Sequence, residues 1–432
     1  MAKNILHETE SSDFPSAVLV AVYSDNSKNE DDLDELAALL ETAGGKAVAR
    51  LIQYRPTPDI ATYIGKGKLD ELRELCENEK IELIIFDCEL SPSQIKAIED
   101  SVGDVRVIDR TMLILDIFAR NATTNEGILQ VQIARLKYTI PRLRGQGAEL
   151  SRLGGGIGTR GPGETKLESD RRHVKSQIAN LEEELRSLEK RRTLLRRNRE
   201  ESGVVQISVA GYTNVGKSTL LNKLTGADIL AENKLFATLD PTTRKWVLPN
   251  VGEVVLTDTV GFIKNLPHHL VEAFKSTLAE VVFSDIILIV LDISSPDVRG
   301  QYEVTEEIIH SLFEKNKVEE KPVIYVFNKC DKVEGIPEET LGLGKRENAV
   351  FISASTGDGI DSLIEAVERT ILSFKKKSVF LLPHSKAGWL DTLYKNAKVE
   401  SVDYTEDGIV VCAVVDEKLH GQLREFEIRN YG

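Results

Sequence analysis

Cysteine is scarce in this sequence, and its four copies are far apart. Cys76, Cys88, Cys330 and Cys412 form no CxxC pair and show no other spacing typical of metal ligands. They are also too dispersed for a disulfide framework of the kind that small secreted domains need. The sequence therefore predicts no cysteine-based zinc site, and a cytoplasmic location is what we expect.

Long apolar runs are missing as well. Runs such as Ile286–Leu291 are far shorter than the ~20 apolar residues of a membrane-spanning helix. The first residues, Met1–Phe14, lack the apolar core of a secretion signal. We therefore expect neither secretion nor stable insertion into a membrane.

Positive charge is in deficit, because 55 Lys and Arg stand against 69 Asp and Glu, for a net charge of −14. Such a chain cannot coat nucleic acid with its whole surface, so DNA is not an expected partner. A local basic patch is still allowed, and its position has to be found along the chain.

Length and patterning predict several domains. The 432 residues correspond to about three domains of ~150 residues each, and 41 % hydrophobic residues are typical of globular chains. Strand-like runs alternate with helical stretches over residues 17–121 and again over 204–374, which predicts two parallel-sheet α/β domains. Between them, Leu129 and Ile178 open two apolar seams with helical spacing, separated by eight glycines within residues 145–163.

We therefore predict an α/β protein with four parts. An N-terminal α/β domain (1–127) and a second parallel-sheet α/β domain (204–374) are joined by a long antiparallel helical hairpin (128–203). A small C-terminal α+β domain (375–432) follows, because its sequence indicates a helix, a hairpin and another helix.

The most specific motif lies between the strand-like run VVQISVA and the helix-like run STLLNKLTG. Gly211, Gly216, Lys217 and Ser218 match the pattern GxxxxGKS of a phosphate-binding loop, or P-loop. The glycines let successive N–H groups wrap the phosphates, while Lys217 pairs with the β and γ phosphates and the Ser218 hydroxyl ligates Mg²⁺. The motif predicts a nucleoside triphosphate as ligand.

Three further motifs end strand-like runs, where the ligands of doubly wound sheets bind. Asp258 can hold Mg²⁺ through water, and the N–H of Gly261 can contact the γ phosphate. Asp331, which ends the motif at 328–331, can accept two N–H bonds from guanine, a pair of donors that adenine lacks. The motif at 353–355 can offer a backbone N–H to the guanine oxygen. Together these motifs predict hydrolysis of GTP.

The segment FATLDPTTR, residues 236–244, lies where a switch loop must supply a second hydroxyl to Mg²⁺. Thr238 is the candidate for this hydroxyl. Thr242 and Thr243 compete with it, because spacing alone does not separate the three.

These segments together resemble the HflX family of ribosome-associated translational GTPases. The resemblance rests on GYTNVGKSTLLNKLTG, FATLDPTTR, DTVGFI, NKCD and SAS, and on the upstream segment SRLGGGIGTRGPGETKLE. It implies that Thr238 is the switch threonine, that Ser218 and Thr238 hold Mg²⁺, and that Asp258 acts through water. It also implies that the hairpin reaches the large ribosomal subunit and its RNA near the peptidyl transferase centre.

The predicted site follows from these motifs. We assign catalytic roles to five residues: Lys217, Ser218, Thr238, Asp258 and Gly261. The residues expected to contact GTP and its Mg²⁺ are Gly211, Tyr212, Thr213, Asn214, Val215, Gly216, Lys217, Ser218, Phe236, Ala237, Thr238, Leu239, Asp240, Asp258, Thr259, Val260, Gly261, Asn328, Lys329, Cys330, Asp331, Ser353, Ala354 and Ser355.

Phe262 stands where Ras-like GTPases carry the glutamine that orients the attacking water. A phenyl ring cannot orient water, so we expect hydrolysis to be slow alone and stimulated by ribosomes. Asn214 suggests K⁺ as one source of the missing group, because similar GTPases with Asn at this position use it to help hold K⁺. The alternative is that Asn214 is an ordinary polar loop residue.

The positive charge of the chain is concentrated in the predicted hairpin. Residues 135–199 hold 17 Lys and Arg against 8 Asp and Glu, a net charge of +9, which leaves −23 on the rest. Four arginines flank or occupy the glycine-rich segment: Arg142, Arg144, Arg152 and Arg160. Residues 139–203 contain no aromatic side chain that could stack on bases, so contact with RNA phosphates is the expected mode. A merely solvated charged arm is the alternative.

The resulting hypothesis is a monomeric GTP hydrolase that binds the large ribosomal subunit in a nucleotide-dependent manner and splits or rescues stalled ribosomes. Two alternatives remain open. One is a GTPase in ribosome assembly, and the other is a GTP-gated ribosome-binding factor in which hydrolysis is incidental.

Overall fold

The computed structural model divides the chain into two compact units. One comprises residues 1–189, 232–240 and 265–275, and the other comprises residues 190–231, 241–264 and 276–432. The structure describes residues 15–24, 33–142, 162–201, 204–226, 235–236, 242–264, 280–335, 340, 343, 348–374, 376–415 and 417–428.

The first unit contains a four-stranded parallel sheet in the order β2-β1-β3-β4. Its strands are β1 (Ser16–Tyr23), β2 (Lys46–Tyr54), β3 (Leu83–Phe86) and β4 (Arg106–Asp109). The connecting helices are α1 (Asp34–Thr42), α2 (Lys66–Glu79) and α3 (Pro92–Val102). Residues 17–21 of β1 and all of β3 are buried, as expected for central strands covered on both faces. The alternation of strands and helices predicted for this region is confirmed.

A fourth helix, α4 (Arg110–Asn121), follows β4 directly and was not predicted. The Asp109 carboxylate caps it by accepting a hydrogen bond of 2.9 Å from the Met112 N–H. Residues 113–118 are all buried. Because this helix is surrounded on every side, its sequence lacks the polar face that marks an amphipathic helix.

Two helices occupy most of the predicted hairpin region. They are α5 (Asn125–Thr139) and α6 (Pro162–Glu201), and α5 packs against α4. Lys137 of α5 and Glu182 of α6 form an ion pair of 2.8 Å. The glycine-rich segment between the helices lies outside the described residues, so the antiparallel hairpin stays a prediction.

The second unit contains a six-stranded sheet in the order β10-β9-β8-β5-β7-β6. Its strands are β5 (Gln206–Gly211), β6 (Thr243–Leu248), β7 (Gly252–Asp258), β8 (Ile286–Asp292), β9 (Val323–Asn328) and β10 (Ala349–Phe351), and its helices include α7 (Lys217–Thr225), α8 (Val298–Asn316) and α9 (Ile360–Ser373). Five strands are parallel, which confirms the α/β class. The edge strand β6, which was not predicted, runs antiparallel to β7.

A three-stranded antiparallel sheet follows within the second unit, in the order β11-β13-β12. Its strands are β11 (Lys376–Leu382), β12 (Lys398–Thr405) and β13 (Gly408–Val415), and two helices accompany it, α10 (Gly388–Asn396) and α11 (Glu417–Leu423). Phe380, Leu393, Val411 and Leu423 belong to its apolar core, so this sheet buries residues of both helices. The sequence predicted the β12–β13 hairpin and the helices but not β11.

Among the described residues, no helix combines the length and the apolar character that crossing a bilayer requires.

Candidate nucleotide-binding site

The P-loop connects β5 to α7 in the second unit, as predicted from the sequence. Gly211 has φ +151° and Gly216 has φ +93°, and both positions disfavour any residue with a side chain. A Cβ atom at Gly211 would collide with the carbonyl oxygen of Val290, and one at Gly216 would collide with the amide of Asn328. Both bends therefore require glycine, for space as well as for backbone conformation.

Lys217 is a buried cation at the start of α7. Its side chain is 7 % exposed, and its Nζ donates hydrogen bonds to the carbonyl oxygens of Gly211 (3.2 Å) and Tyr212 (2.7 Å). Burial lowers the pKa of Lys217 from its usual value near 10.5 to about 8, while nearby Asp258 acts in the opposite direction. The lysine thus keeps its charge at neutral pH, in a place where an anionic group would stabilise it.

Ser218 and Asp258 form the part of the site suited to Mg²⁺. The Ser218 hydroxyl donates a hydrogen bond of 2.9 Å to the Asp258 carboxylate, which is 1 % exposed at the end of β7. A hydroxyl beside a carboxylate is an all-oxygen donor set of the kind that Mg²⁺ prefers, with phosphate oxygens completing its coordination. The two side chains predicted to act on this ion therefore fit it.

Phe262 joins the P-loop to the segment after β7. Its N–H donates to the Gly211 carbonyl oxygen (3.1 Å), and its own carbonyl oxygen accepts from the Thr213 N–H (2.8 Å). Its ring is 1 % exposed. Phe262 thus acts as a core residue that fixes the P-loop backbone.

Gly261 lies next to two P-loop side chains. A Cβ added there would come within 2.7 Å of the Thr213 Cγ2 and 2.9 Å of the Lys217 Nζ. The absence of a side chain at this position therefore leaves the lysine ammonium and the Gly261 backbone close together, as contact with one phosphate group requires.

The motif at 328–331 is tied to the P-loop and to the motif at 353–355. Asn328 donates from Nδ2 to the Val215 carbonyl oxygen (2.8 Å) and accepts at Oδ1 from the Ala354 N–H (2.9 Å). Lys329 donates to the Asn214 carbonyl oxygen (2.7 Å). The structure thus brings together three of the segments that the sequence assigned to one site.

Asp331 is exposed and accepts a hydrogen bond of 2.6 Å from the Ser353 hydroxyl. That hydroxyl lies 3.0 Å from the Ser355 hydroxyl. The hydrogen bond from Ser353 is the main reason why the pKa of Asp331 lies below its usual value. The carboxylate is therefore ionised at neutral pH and open to a ligand that offers two donors.

Some predicted site residues have structural partners instead. The Thr259 hydroxyl donates to the Val209 carbonyl oxygen (2.7 Å), and Val260 is buried. Cys330 donates its N–H to the Ile352 carbonyl oxygen (3.1 Å). The side chain of Thr259 thus holds the strand end in place.

Phe236 belongs to the first unit, where it packs on α4. Its ring is 3 % exposed and lies edge-on to Phe118, with centroids 4.6 Å apart. Its carbonyl oxygen accepts a hydrogen bond of 2.8 Å from Asn121, and the Leu235 N–H donates to the Thr42 hydroxyl (3.2 Å). These contacts anchor the start of the segment that carries the predicted switch threonine.

Residues 237–240, with Ala237, Thr238, Leu239 and Asp240, lie outside the described residues. Of the two competitors of Thr238, Thr243 stands in β6, and its hydroxyl lies 3.2 Å from the Thr257 hydroxyl. Thr242 accepts a backbone hydrogen bond of 3.0 Å from Asp258. The choice of Thr238 stays a prediction.

Arg142 has a structural role that the sequence did not predict. Its guanidinium donates to the Asp109 carboxylate (3.1 Å) and the Leu90 carbonyl oxygen (2.9 Å), and it also contacts the Tyr138 hydroxyl, which donates to Asp109. Asp109 is fully buried. Arg142 therefore neutralises a buried carboxylate within the first unit, and its contact with RNA stays a prediction.

Four family models match the chain one after another. They are GTP-binding GTPase N-terminal (30–119), GTP-binding GTPase Middle Region (121–199), 50S ribosome-binding GTPase (206–329) and HflX C-terminal domain (341–425).

Curated relatives match over almost the whole chain. The GTPase HflX of Caldanaerobacter subterraneus is 48 % identical over 412 residues, which are 95 % of this chain and 94 % of the relative. The GTPase HflX of Escherichia coli is 40 % identical over 395 residues, which are 91 % of this chain and 92 % of the relative. The chain belongs to the HflX family of GTPases. This membership confirms the resemblance seen in the motifs and makes the chain a GTP hydrolase.

A solved structure of a GTP-binding protein from Sulfolobus solfataricus in complex with GDP is 24 % identical to this HflX-family chain. The match covers 83 % of this chain and 98 % of that protein, with a TM-score of 0.47.

Sequence reasoning missed two residues that support the site in this HflX-family chain. Asp292 ends β8 and forms an ion pair of 2.6 Å with Lys329, and Lys264 donates its N–H to the Tyr212 hydroxyl (2.6 Å). The position of Asp292 at the carboxyl end of a strand was a usable signal. Lys264 gave none, because its contact depends on the backbone pairing of Tyr212 with Phe262.

Proposed function

We propose that this GTPase binds the large ribosomal subunit when it carries GTP, and that it thereby splits or rescues stalled ribosomes. The observation that carries the proposal is the separation of charge, because residues 135–199 hold +9 in a chain of net −14. Ribosomal RNA is a dense polyanion, so a basic segment supplies affinity while the acidic remainder is repelled. The description of the matched domain model, 50S ribosome-binding GTPase, supports the same partner.

Each polar group of the nucleotide-binding site has a role in this proposal. Lys217 binds the β and γ phosphates, the Gly261 N–H contacts the γ phosphate, and Asp331 binds the guanine edge. Ser218 and Thr238 would hold Mg²⁺ and Asp258 would act on it through water, and the bound ion would offset the negative charge of the phosphates. Water displaces GDP from the γ phosphate, and loss of that phosphate releases the switch segment.

K⁺ is the stimulating cation in this proposal, with Asn214 as its protein ligand. Asn214 is exposed and has φ +60°, so its side chain stands at the surface of the P-loop. A monovalent cation beside the phosphates would supply positive charge that Phe262 cannot. GTP turnover should be faster in K⁺ than in Na⁺. Equal rates would refute the role of K⁺ but would not bear on the proposal that the protein binds ribosomes.

The deciding experiment is sedimentation of the full chain with purified large subunits, loaded with a non-hydrolysable GTP analogue, with GDP, or with no nucleotide. We expect strong co-sedimentation only with the analogue. Equal co-sedimentation in all three states contradicts the proposal.

Two further measurements separate the alternatives. An assembly factor should prefer immature subunits, so stimulation of GTP turnover by mature large subunits argues against it. A GTP-gated binding factor should split ribosomes equally well with the non-hydrolysable analogue and with GTP over repeated cycles.

A further inference from the structure

Phe262 occupies the position at which Ras-like enzymes carry the glutamine that orients the attacking water, and it cannot take over that role. The Phe262 ring is 1 % exposed, and both polar groups of its backbone are paired with the P-loop. No rotation of this side chain brings a polar atom to the phosphates. Any protein group that stabilises the reacting phosphoryl group must therefore come from another position.

The side chain of the P-loop residue Thr213 lies beside Gly261, whose N–H contacts the γ phosphate in the proposed site. Its Cγ2 and Cα lie 2.7 Å and 2.9 Å from the Cβ position of Gly261, and the Lys217 Nζ lies 2.9 Å from the same point. Thr213, Lys217 and the Gly261 backbone therefore meet around one small volume. This volume is where the proposed site places the terminal phosphate.

The Thr213 hydroxyl has no hydrogen-bond partner among the described residues, although its oxygen is buried. The whole side chain is 5 % exposed. A buried hydroxyl without a partner is costly, and such atoms in native structures call for an explanation such as a ligand or a catalytic role. Neighbouring hydroxyls do have partners, as Thr259 bonds to Val209 and Ser218 bonds to Asp258.

From these observations we infer that the Thr213 hydroxyl donates a hydrogen bond to a γ-phosphate oxygen of GTP during hydrolysis. It forms and breaks no covalent bond. The water oxygen bonds to the γ phosphorus, the bond to the β–γ bridging oxygen breaks with its electron pair going to GDP, and the water protons pass to phosphate and solvent. The inference rests on the nucleotide site proposed above and is independent of ribosome binding.

The central variant is Thr213→Val, which keeps the shape of the side chain and removes only the hydroxyl. We expect it to lower kcat for GTP about 100-fold, the lower end of the loss caused by removing one donor to a reacting oxyanion. GDP lacks the γ phosphate, so its Kd should change less than about twofold. The melting temperature of the nucleotide-free protein should stay equal or rise, because the variant removes an unpartnered buried hydroxyl.

Thr213→Ser restores the hydroxyl without the methyl group and should recover kcat to within about threefold of the unchanged chain. Thr225→Val is the matched control, because the Thr225 hydroxyl already has a partner in the Leu221 carbonyl oxygen, and kcat should not change. Lys217→Ala tests the site itself, and it should weaken binding of both GTP and GDP.

Three results would overturn the inference. They are full kcat in Thr213→Val, equal weakening of GDP and GTP binding in that variant, and failure of Thr213→Ser to restore turnover. If Lys217→Ala bound both nucleotides with full affinity, the assignment of the nucleotide site would be wrong. This outcome is distinct from the three results that overturn the role of Thr213 alone.

Discussion

Lys217 links nucleotide affinity to pH at the scale of a single residue. Because burial lowers its pKa to about 8, its ammonium loses the proton above that pH when no phosphate is bound. Phosphates favour the charged form, so binding takes up a proton at higher pH.

We therefore expect the Kd for GDP to rise about tenfold between pH 7 and pH 9, as the protonated fraction of Lys217 falls. Titration calorimetry in two buffers of different ionisation enthalpy should show net proton uptake at pH 9 and almost none at pH 7. A Kd that is constant over this range would contradict the lowered pKa.

In the proposed site, Asp331 determines the choice of base. Asp331→Asn replaces an acceptor by an amide that can also donate, which suits the 2-oxo group of xanthine better than the 2-amino group of guanine. We expect GTP to bind about tenfold more weakly or worse, and xanthosine triphosphate to bind more tightly than it does to the unchanged chain. Asp358→Asn, on an exposed turn nearby, is the control. Retained selectivity for GTP would refute the assignment.

Individual residues were predictable where a local motif determines the chemistry. The spacing of Gly211, Gly216 and Lys217 was enough to predict the P-loop, because its geometry depends on one short segment. Arg142 was not predictable, because its partner Asp109 is remote in sequence and is brought close only by the fold. Whether the Thr213 hydroxyl has a hydrogen-bond partner likewise depends on which residues the fold places around it.

At the scale of elements, the junction of β4, α4 and α5 depends on Asp109. This buried carboxylate accepts from the N–H groups of Met112 and Leu90, from the Tyr138 hydroxyl and from Arg142. One side chain thus caps α4 and fixes the end of α5.

We expect Asp109→Ala to lower the free energy of unfolding of the full chain by about 3–5 kcal/mol, because it leaves the guanidinium of Arg142 without its buried counter-charge. Asp70→Ala is the control, since its ion pair with Arg73 is about half exposed on both sides and should contribute less than about 1 kcal/mol. Equal losses for the two variants, measured by denaturant unfolding, would show that the Asp109 cluster stabilises nothing.

Elements were predictable where one face is apolar and the other polar. α4 was not predicted because it is buried on all sides, and β6 was not predicted because its first two residues, Thr243 and Arg244, belong to the segment taken for a switch loop. β11 begins with two lysines, so the apolar residues that follow them were not recognised as part of a strand. β1 was recognisable in a different way, from a continuous run of apolar residues that reflects its burial on both faces.

At the scale of the whole molecule, the separated charges predict how ribosome binding responds to salt. Replacing Arg144, Arg152 and Arg160 by Ala, with Arg142 retained for stability, should weaken binding to large subunits. Each lost phosphate contact should flatten the slope of log affinity against log salt by about 0.7 to 0.9.

The matched control removes the same charge elsewhere, at the exposed residues Lys245, Arg299 and Lys315. This second triple variant should leave the salt slope unchanged. Identical slopes for both triple variants would mean that net charge, and not the basic segment, determines binding.

The anchored ring of Phe236 sets a limit on how far the chain beyond it can travel. Thr238 follows two residues later, and two extended residues span at most about 7 Å. While the ring stays on Phe118, the threonine can reach only points within that radius. A longer excursion has to pull the ring away from Phe118 and break the hydrogen bond from Asn121, which would expose apolar surface on α4.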